Sequence, residues 1–163
     1  YREVATPLFR LSPRPFYGWR RWLLRAFGAS VGRDVRIHPS VRVVIPWNLV
    51  IGDEASLGDR VLVYNLGMVR VGPRATVSHL AHLCAGSHDH EDPRLPLLRL
   101  PIEIGADAWV CAQAFVGPDI TVGEGAVVAA CSVVVRSVDP WTVVAGNPAR
   151  PVKPRVMRSG GAA

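Results

Sequence analysis

The sequence predicts an all-β chain wound as a parallel β-helix, a solenoid of hexapeptide repeats with a short N-terminal helix and one excursion loop. Three observations carry this reading: an aliphatic residue every sixth position, glycine or another small residue at set places after it, and few interruptions. Stepping by six gives Val31, Ile37 and Val43; after two extra residues Ile51, Leu57 and Val63; after two more Val71, Val77 and Leu83. A last register runs unbroken through Ile104, Val110, Val116, Val122, Val128 and Val134. All fifteen positions hold Val, Ile or Leu, which fill only 45 of the 163 positions in the chain, so the series is an internal repeat rather than chance. Glycine follows at Gly32, Gly52, Gly58, Gly72, Gly105, Gly117 and Gly123. Four residues after the aliphatic one stands a small residue at Ala55, Ala75, Ala81, Ser87, Ala108, Ala114, Ala126 and Ser132.

Each hexapeptide makes a short strand and a tight turn, and three make one coil. The first element, residues 1–30, contains PFYGWRRWLLRAFG (Pro15 to Gly28), an amphipathic helix carrying Arg20, Arg21 and Arg25. Its expected task is to cap the open end of the solenoid with Trp19, Trp22, Leu23 and Phe27; weak contact with an anionic membrane surface is the other reading. The β-helix domain follows at 31–139, with coils at 31–48, 51–68, 71–88, 104–121 and 122–139, each burying its aliphatic column only against its neighbours. At about 4.8 Å between stacked strands, five coils rise roughly 25 Å. The loop 89–101 interrupts them with His90, Glu91, Asp92, Arg94 and three prolines, and an excursion of this kind from a regular scaffold is a candidate functional element. Residues 140–163, rich in Pro and positive charge, are expected to fold back along the last coils and end in a tail.

A chain of 163 residues and 17.7 kDa has room for one core and no second sizeable domain. No apolar run is long enough to span a bilayer. The segment starts at Tyr1 and shows no secretory leader pattern, so neither secretion nor a natural N-terminus is read from it; the default expectation is cytoplasmic, with the inner face of the membrane as its variant. Cys84, Cys111 and Cys131 are odd in number and lack C-x-x-C spacing; they read as small buried residues, not as a disulfide framework or zinc knuckle. The net charge is +6, and 18 of the 19 basic residues are Arg, which suits an anionic partner. No nucleic-acid recognition signature accompanies that charge, so nucleic acid is not expected as a partner.

Beyond the repeat stand PWNLVIGD (Pro46 to Asp53), VYNLG (Val63 to Gly67), GSHDHEDP (Gly86 to Pro93), PIEIGADAWV (Pro101 to Val110) and AGNPAR (Ala145 to Arg150). With these pieces the chain, from about Leu24 to Arg155, resembles the hexapeptide-repeat acyltransferases. The likeness is to acetyltransferases of colanic acid and other exopolysaccharide synthesis and to maltose and galactoside O-acetyltransferases. It departs from their pattern at Cys131, where Gly is common, at GPDI (Gly117 to Ile120), and at His79.

The resemblance implies a left-handed coil, a homotrimer, and direct transfer of acetyl from acetyl-CoA to a saccharide hydroxyl with no metal. A hydroxyl is a poor nucleophile at neutral pH, so the reaction needs a base, and imidazole, with a reference value of about 6.5, suits the role. His88 matches the family's catalytic histidine by its GSHD context, with Asp89 or a backbone carbonyl to orient its ring; His90 is a loop residue or an acceptor contact. Asn65 matches an acceptor-binding asparagine, and Trp109 is expected to wall the pocket or to pack between coils. Ala112 and Ala130 match positions whose main chain faces pantetheine, while Arg136 and Arg150, with Lys153 and Arg155 behind them, match residues that meet the CoA phosphates. Two rival readings are a metal hydratase of the carbonic anhydrase type built on His79, His82 and His88, and a non-catalytic trimeric scaffold.

Overall fold

The computed structural model describes residues 5–157. Three stacks of short parallel strands form the sides of a triangular, left-handed coil. The first side holds Ser30–Val31, Leu49–Ile51, Val69–Val71, Ile102–Ile104 and Ile120–Val122. The second holds Arg36–Ile37, Ser56–Leu57, Thr76–Val77, Trp109–Val110, Val127–Val128 and Thr142–Gly146. On the third stand Arg42–Val43, Leu62–Tyr64, His82–Cys84, Phe115–Val116 and Val133–Val134.

The register stacks the six-residue series on itself, pairing Val31 with Ile51, Ile37 with Leu57, Val63 with Leu83 and Ile104 with Val122. All fifteen stepped residues are buried. Because side chains alternate across a strand, the residue before each one faces outward, and the sequence thereby also fixes the outer surface. The small residues at Ala55, Ala75, Ala108 and Ala126 are buried at the corners, where a larger side chain would push neighbouring coils apart.

Those corners turn through left-handed backbone. Asp34, Glu54, Arg74 and Asp107 occupy it between the first and second sides, and Arg60, Leu80, Gln113 and Cys131 between the second and third, with φ between 51° and 60°. Cys131 (φ 59°) thus stands where glycine would be free of strain, and it is exposed, with Sγ 3.3 Å from Gln113 Oε1. The expectation of three buried cysteines is corrected accordingly, since Cys84 and Cys111 are only half-buried.

The two extra residues of the early coils lie at the corner from third to first side. In the first coil this corner is a 3-10 turn, Pro46–Asn48. In the second it carries Asn65, which is wholly buried. Asn65 Oδ1 accepts from the Val44 and Ile45 N–H groups at 3.2 and 3.0 Å, and Nδ2 donates to the Ile45 and Asn48 carbonyls at 2.5 and 3.1 Å. Asn48 Nδ2 answers by donating to the Leu66 carbonyl at 2.9 Å. Above them, a Cβ on Gly67 would collide with the Leu100 carbonyl, so glycine lets the returning end of the excursion lie flush on the coil.

The N-terminal segment forms α1 (Ala5–Arg10), which the sequence reading did not include, and α2 (Tyr17–Ala26) inside the expected helix. First-coil carbonyls that point away from the second coil have no strand beyond them. Arginines of α2 supply the donors: Arg20 Nε to Ile37 O at 2.6 Å, Arg21 Nη1 to Val35 O at 3.1 Å, and Arg25 Nε to Val31 O at 2.9 Å. Arg20 is fully buried, and that burial lowers its pKa. Phe9, Leu23 and Leu24 make the apolar seal, with Phe27 packed beside it. Trp19 and Trp22 do not take part; both are exposed, contrary to the expected cap.

At the other end Val138 and Val144 carry the interior into a partial sixth coil, with Thr142–Gly146 pairing alongside Val127–Val128. Ala149–Pro154 then folds back antiparallel on that strand. Arg155 ties the return down by donating to the Asp107 and Gly125 carbonyls at 2.9 and 2.8 Å.

Candidate functional site

The excursion leaves the third coil at the enlarged corner. Ser87–His88 pairs antiparallel with Leu97–Leu98, His88 opposite Leu97, which makes a hairpin of the expected loop. Short-range bonds shape its tip: the Asp89 N–H donates to the Pro96 carbonyl at 3.0 Å, and the Leu95 N–H to the Asp92 carbonyl at 2.8 Å. Asp89 Oδ1 accepts from the Glu91 N–H at 3.0 Å, and Asp92 Oδ1 from the Arg94 N–H at 2.9 Å, two Asx turns in succession. The Arg94 guanidinium also meets the Asp92 carboxylate at 2.7 Å and holds it below the usual carboxylate range.

These turns set Leu95 in left-handed backbone (φ 47°), a conformation a bulky residue adopts only when its surroundings impose it. Its carbonyl lies 2.5 Å from His88 Nδ1. A carbonyl can only accept, so the proton of the neutral ring sits on Nδ1 and Nε2 keeps a free lone pair. The side chain is exposed, so Nε2 is open to a proton donor from solvent or a bound molecule. Of the two expected orienters, the ring meets the backbone carbonyl; the Asp89 carboxylate is engaged with the Glu91 N–H instead. His90 is exposed in the same tip.

The other expected residues fall in separate places. Asn65 cannot read sugar hydroxyls in this fold, because its amide is buried and spends its donors and acceptors on the backbone of the first-coil corner. Trp109 faces outward on the second side, half-exposed, its Nε1 donating to Ser78 Oγ at 2.8 Å, one side of the coil away from the hairpin. Ala112 and Ala130 stack at the second-to-third corner, where the Cys131 N–H donates to the Ala112 carbonyl at 2.9 Å. Their methyl groups leave a low backbone ledge. Arg136 and Arg150 do come together, lining one groove of about 200 Å³ at the C-terminal end with Ser137, Thr142 and Ala149. Lys153 lies outside that groove, opposite Val143.

His79 sits at the second-to-third corner, His82 on the third side and His88 on the hairpin; among the described residues no three His, Cys, Asp or Glu gather as a metal site. Sequence reading missed the Leu95 carbonyl, which has no side-chain signature. It also missed a groove of about 560 Å³ on the second side, where Arg14, Tyr17, Arg36 and His79 surround His38. There His38 Nδ1 stands 2.7 Å from Ser40 Oγ, Ser40 bonds Asp59, and burial pushes the His38 pKa down.

Relatives join these pieces. The family described as bacterial transferase hexapeptide (six repeats) matches residues 101–136. Over 153 residues the chain is 42% identical to WcaF of Escherichia coli (strain K12), provisionally named a colanic acid biosynthesis acetyltransferase, a match covering 94% of this chain and 84% of that protein. Galactoside O-acetyltransferase of the same strain is 25% identical over 137 residues, 82% of this chain and 68% of its own length. In fold, a maltose O-acetyltransferase of Clostridium difficile 630 superposes with a TM-score of 0.84 at 24% identity, over 94% of this chain and 83% of that one. A hexapeptide-repeat acetyltransferase of Vibrio cholerae, solved with acetyl coenzyme A, gives 0.83 at 23%, over 94% and 84%. On the repeat, the coil and the 42% identity along nearly its whole length, the chain belongs to the hexapeptide-repeat acetyltransferases.

Proposed function

We propose that the protein moves an acetyl group from acetyl-CoA to a hydroxyl of a saccharide, a glycan or exopolysaccharide precursor, in a ternary complex with His88 as general base. The observation that carries this is the His88 ring, fixed through Nδ1 by the Leu95 carbonyl and open at Nε2. As the sugar oxygen attacks the thioester carbonyl, Nε2 takes its proton; the carbon–sulfur bond then breaks, and the imidazolium returns the proton to the departing CoA sulfur. The Leu95 carbonyl, still accepting from Nδ1–H, favours the transient positive ring. On this reading the Ala112–Ala130 ledge takes the pantetheine arm, and Arg136 and Arg150, with Lys153 behind them, meet the phosphates. Trp109 walls the thioester, and His90 borders the acceptor.

A homotrimer explains why these parts lie on different sides of one chain. The third side turns Leu62, Tyr64, His82, Phe115 and Val133 outward, an apolar strip. His82 Nε2 is buried there without a hydrogen-bond partner, and its ring stands edge-on to Phe115, centroids 5.2 Å apart. Closing three such sides around one axis brings the hairpin of each subunit toward the second side of the next. Acetyl-CoA supply makes the cytoplasm the working compartment.

The test is His88→Ala. It should lower kcat by roughly 10²- to 10⁴-fold, the usual worth of a positioned proton acceptor, while acetyl-CoA still binds and thermal unfolding is unchanged. Near-normal turnover in this variant, or activity lost to a chelator and restored by zinc, would overturn the mechanism.

A further inference from the structure

The N-terminal cap is built inside out. A helix that seals a core ordinarily turns its aromatic residues inward and its arginines to water. In α2 the arginines face the coil, and Trp19 and Trp22 stack on the outer surface with centroids 5.0 Å apart, 38% and 56% exposed. Trp47, 61% exposed, stands against Gly28 just past the end of α2. Leu8, Leu11 and Phe16 are exposed on the same cap. Single exposed apolar residues are ordinary on any surface, but six on one cap mark a contact surface.

Charge names the contact. Residues 5–29 contain five arginines and no Asp or Glu, whereas outside them 14 basic residues nearly balance 13 acidic ones, so five of the six net positive charges lie on this cap. Arg10 and Arg14 are exposed and form no ion pair with a described residue, while Arg21 and Arg25 spend donors on first-coil carbonyls. Indole rings favour the headgroup level of a bilayer, and guanidinium groups favour its phosphates. No described helix is long and apolar enough to cross a membrane, so the cap suits lying on one.

We propose that this cap docks the protein on an anionic lipid bilayer, with Trp19, Trp22 and Trp47 seated among the headgroups. If the trimer proposed above holds, its cyclic symmetry sets three caps on one end of the assembly, and three weak contacts add as avidity. His88, in the third coil, then stands two coil rises above the first, about 10 Å at about 4.8 Å each. At that height the hairpin meets saccharides carried on lipid, which narrows the acceptor of the proposed reaction to a membrane-anchored glycan.

The test is co-sedimentation of the whole protein with vesicles of pure phosphatidylcholine and of phosphatidylcholine mixed with phosphatidylglycerol. Binding should appear with the anionic vesicles, weaken with salt, and bring quenching of tryptophan fluorescence by brominated lipid. Trp19→Ser with Trp22→Ser should weaken vesicle binding about tenfold or more, with acetyl-CoA affinity unchanged. No binding to phosphatidylglycerol vesicles at low salt, the result expected if the cap instead serves an acidic protein, would overturn the proposal. So would binding that the double variant leaves intact. Neither result bears on the acetyl transfer assigned to His88, which is read separately by turnover.

Discussion

Leu83 and His88 stand five residues apart, yet almost nothing that fixes one fixes the other. Leu83 is wholly buried in the third coil, its register set by Val63 on one side and Val116 on the other. Its direction follows from a period that runs through the whole chain. His88 points where a carbonyl seven residues later holds it, and that carbonyl is aimed by two Asx turns and a left-handed leucine. The coil draws its stability from many equivalent stacked contacts, whereas the hairpin depends on a few local bonds that no neighbouring coil repeats.

Truncation in the coil should separate the two most sharply. Leu83→Ala removes a side chain from between two layers, with little room to collapse, and should cost about 2–5 kcal/mol in urea unfolding. Below its new melting point the variant should turn over normally; a stability loss under about 1 kcal/mol would show that the coil repacks more freely than its density implies. The hairpin should answer in the opposite sense. Asp92→Ala removes the acceptor for the Arg94 N–H and its guanidinium, which frees Leu95 to leave its strained conformation. Turnover should fall about tenfold if His88 is the base proposed above, since an ångström of misplacement at such a group is costly, with the melting temperature nearly unchanged. Full activity in Asp92→Ala would mean that strand pairing alone aims the His88 ring.

The smallest expected effect lies on the outer face of the coil. Burial lowers the His82 pKa, so the unfolded chain takes up its proton more readily than the folded one. The stability tied to neutral His82 is therefore present above the unfolded value of about 6.5 and is lost as the pH falls below it. Melting temperature should decline on acidification, and His82→Phe should flatten that decline, leaving the part due to His38, whose pKa burial also lowers. An unchanged slope in His82→Phe would place the acid sensitivity elsewhere.

Periodicity made the coils legible from the sequence, down to the fifteen inward residues. It lost the partial sixth coil because Val138 follows Val134 by four residues and not six. It found α2 but not which face turns inward: helical spacing groups Trp19 with Trp22, while the unpaired carbonyls of the first coil decide that arginines take the inner position. Motif position could not tell an asparagine that reads a ligand from one that brackets a turn, and burial resolves Asn65 as the second. The orienter of His88 was illegible for a plainer reason, since every residue has a carbonyl and only the fold says which one is near.

The enlarged corner also bears on how chains of this shape change length over generations. Adjacent coils are 20 residues apart early in the chain, as from Val31 to Ile51, and 18 apart later, as from Ile104 to Val122. Gaining one full coil would lift the hairpin along the axis by about 4.8 Å without changing the side it faces. Gaining a single hexapeptide would swing everything after it by one side, taking the histidine away from the seam it would share with a neighbouring subunit. Additions of any other size fit only where turns are already irregular, and three successive coils are irregular at the same corner, with a 3-10 turn, an asparagine bracket and the hairpin stacked one above another. Length variation among related chains should collect along that one edge, leaving the other two edges as the fixed gauge against which the hairpin is measured.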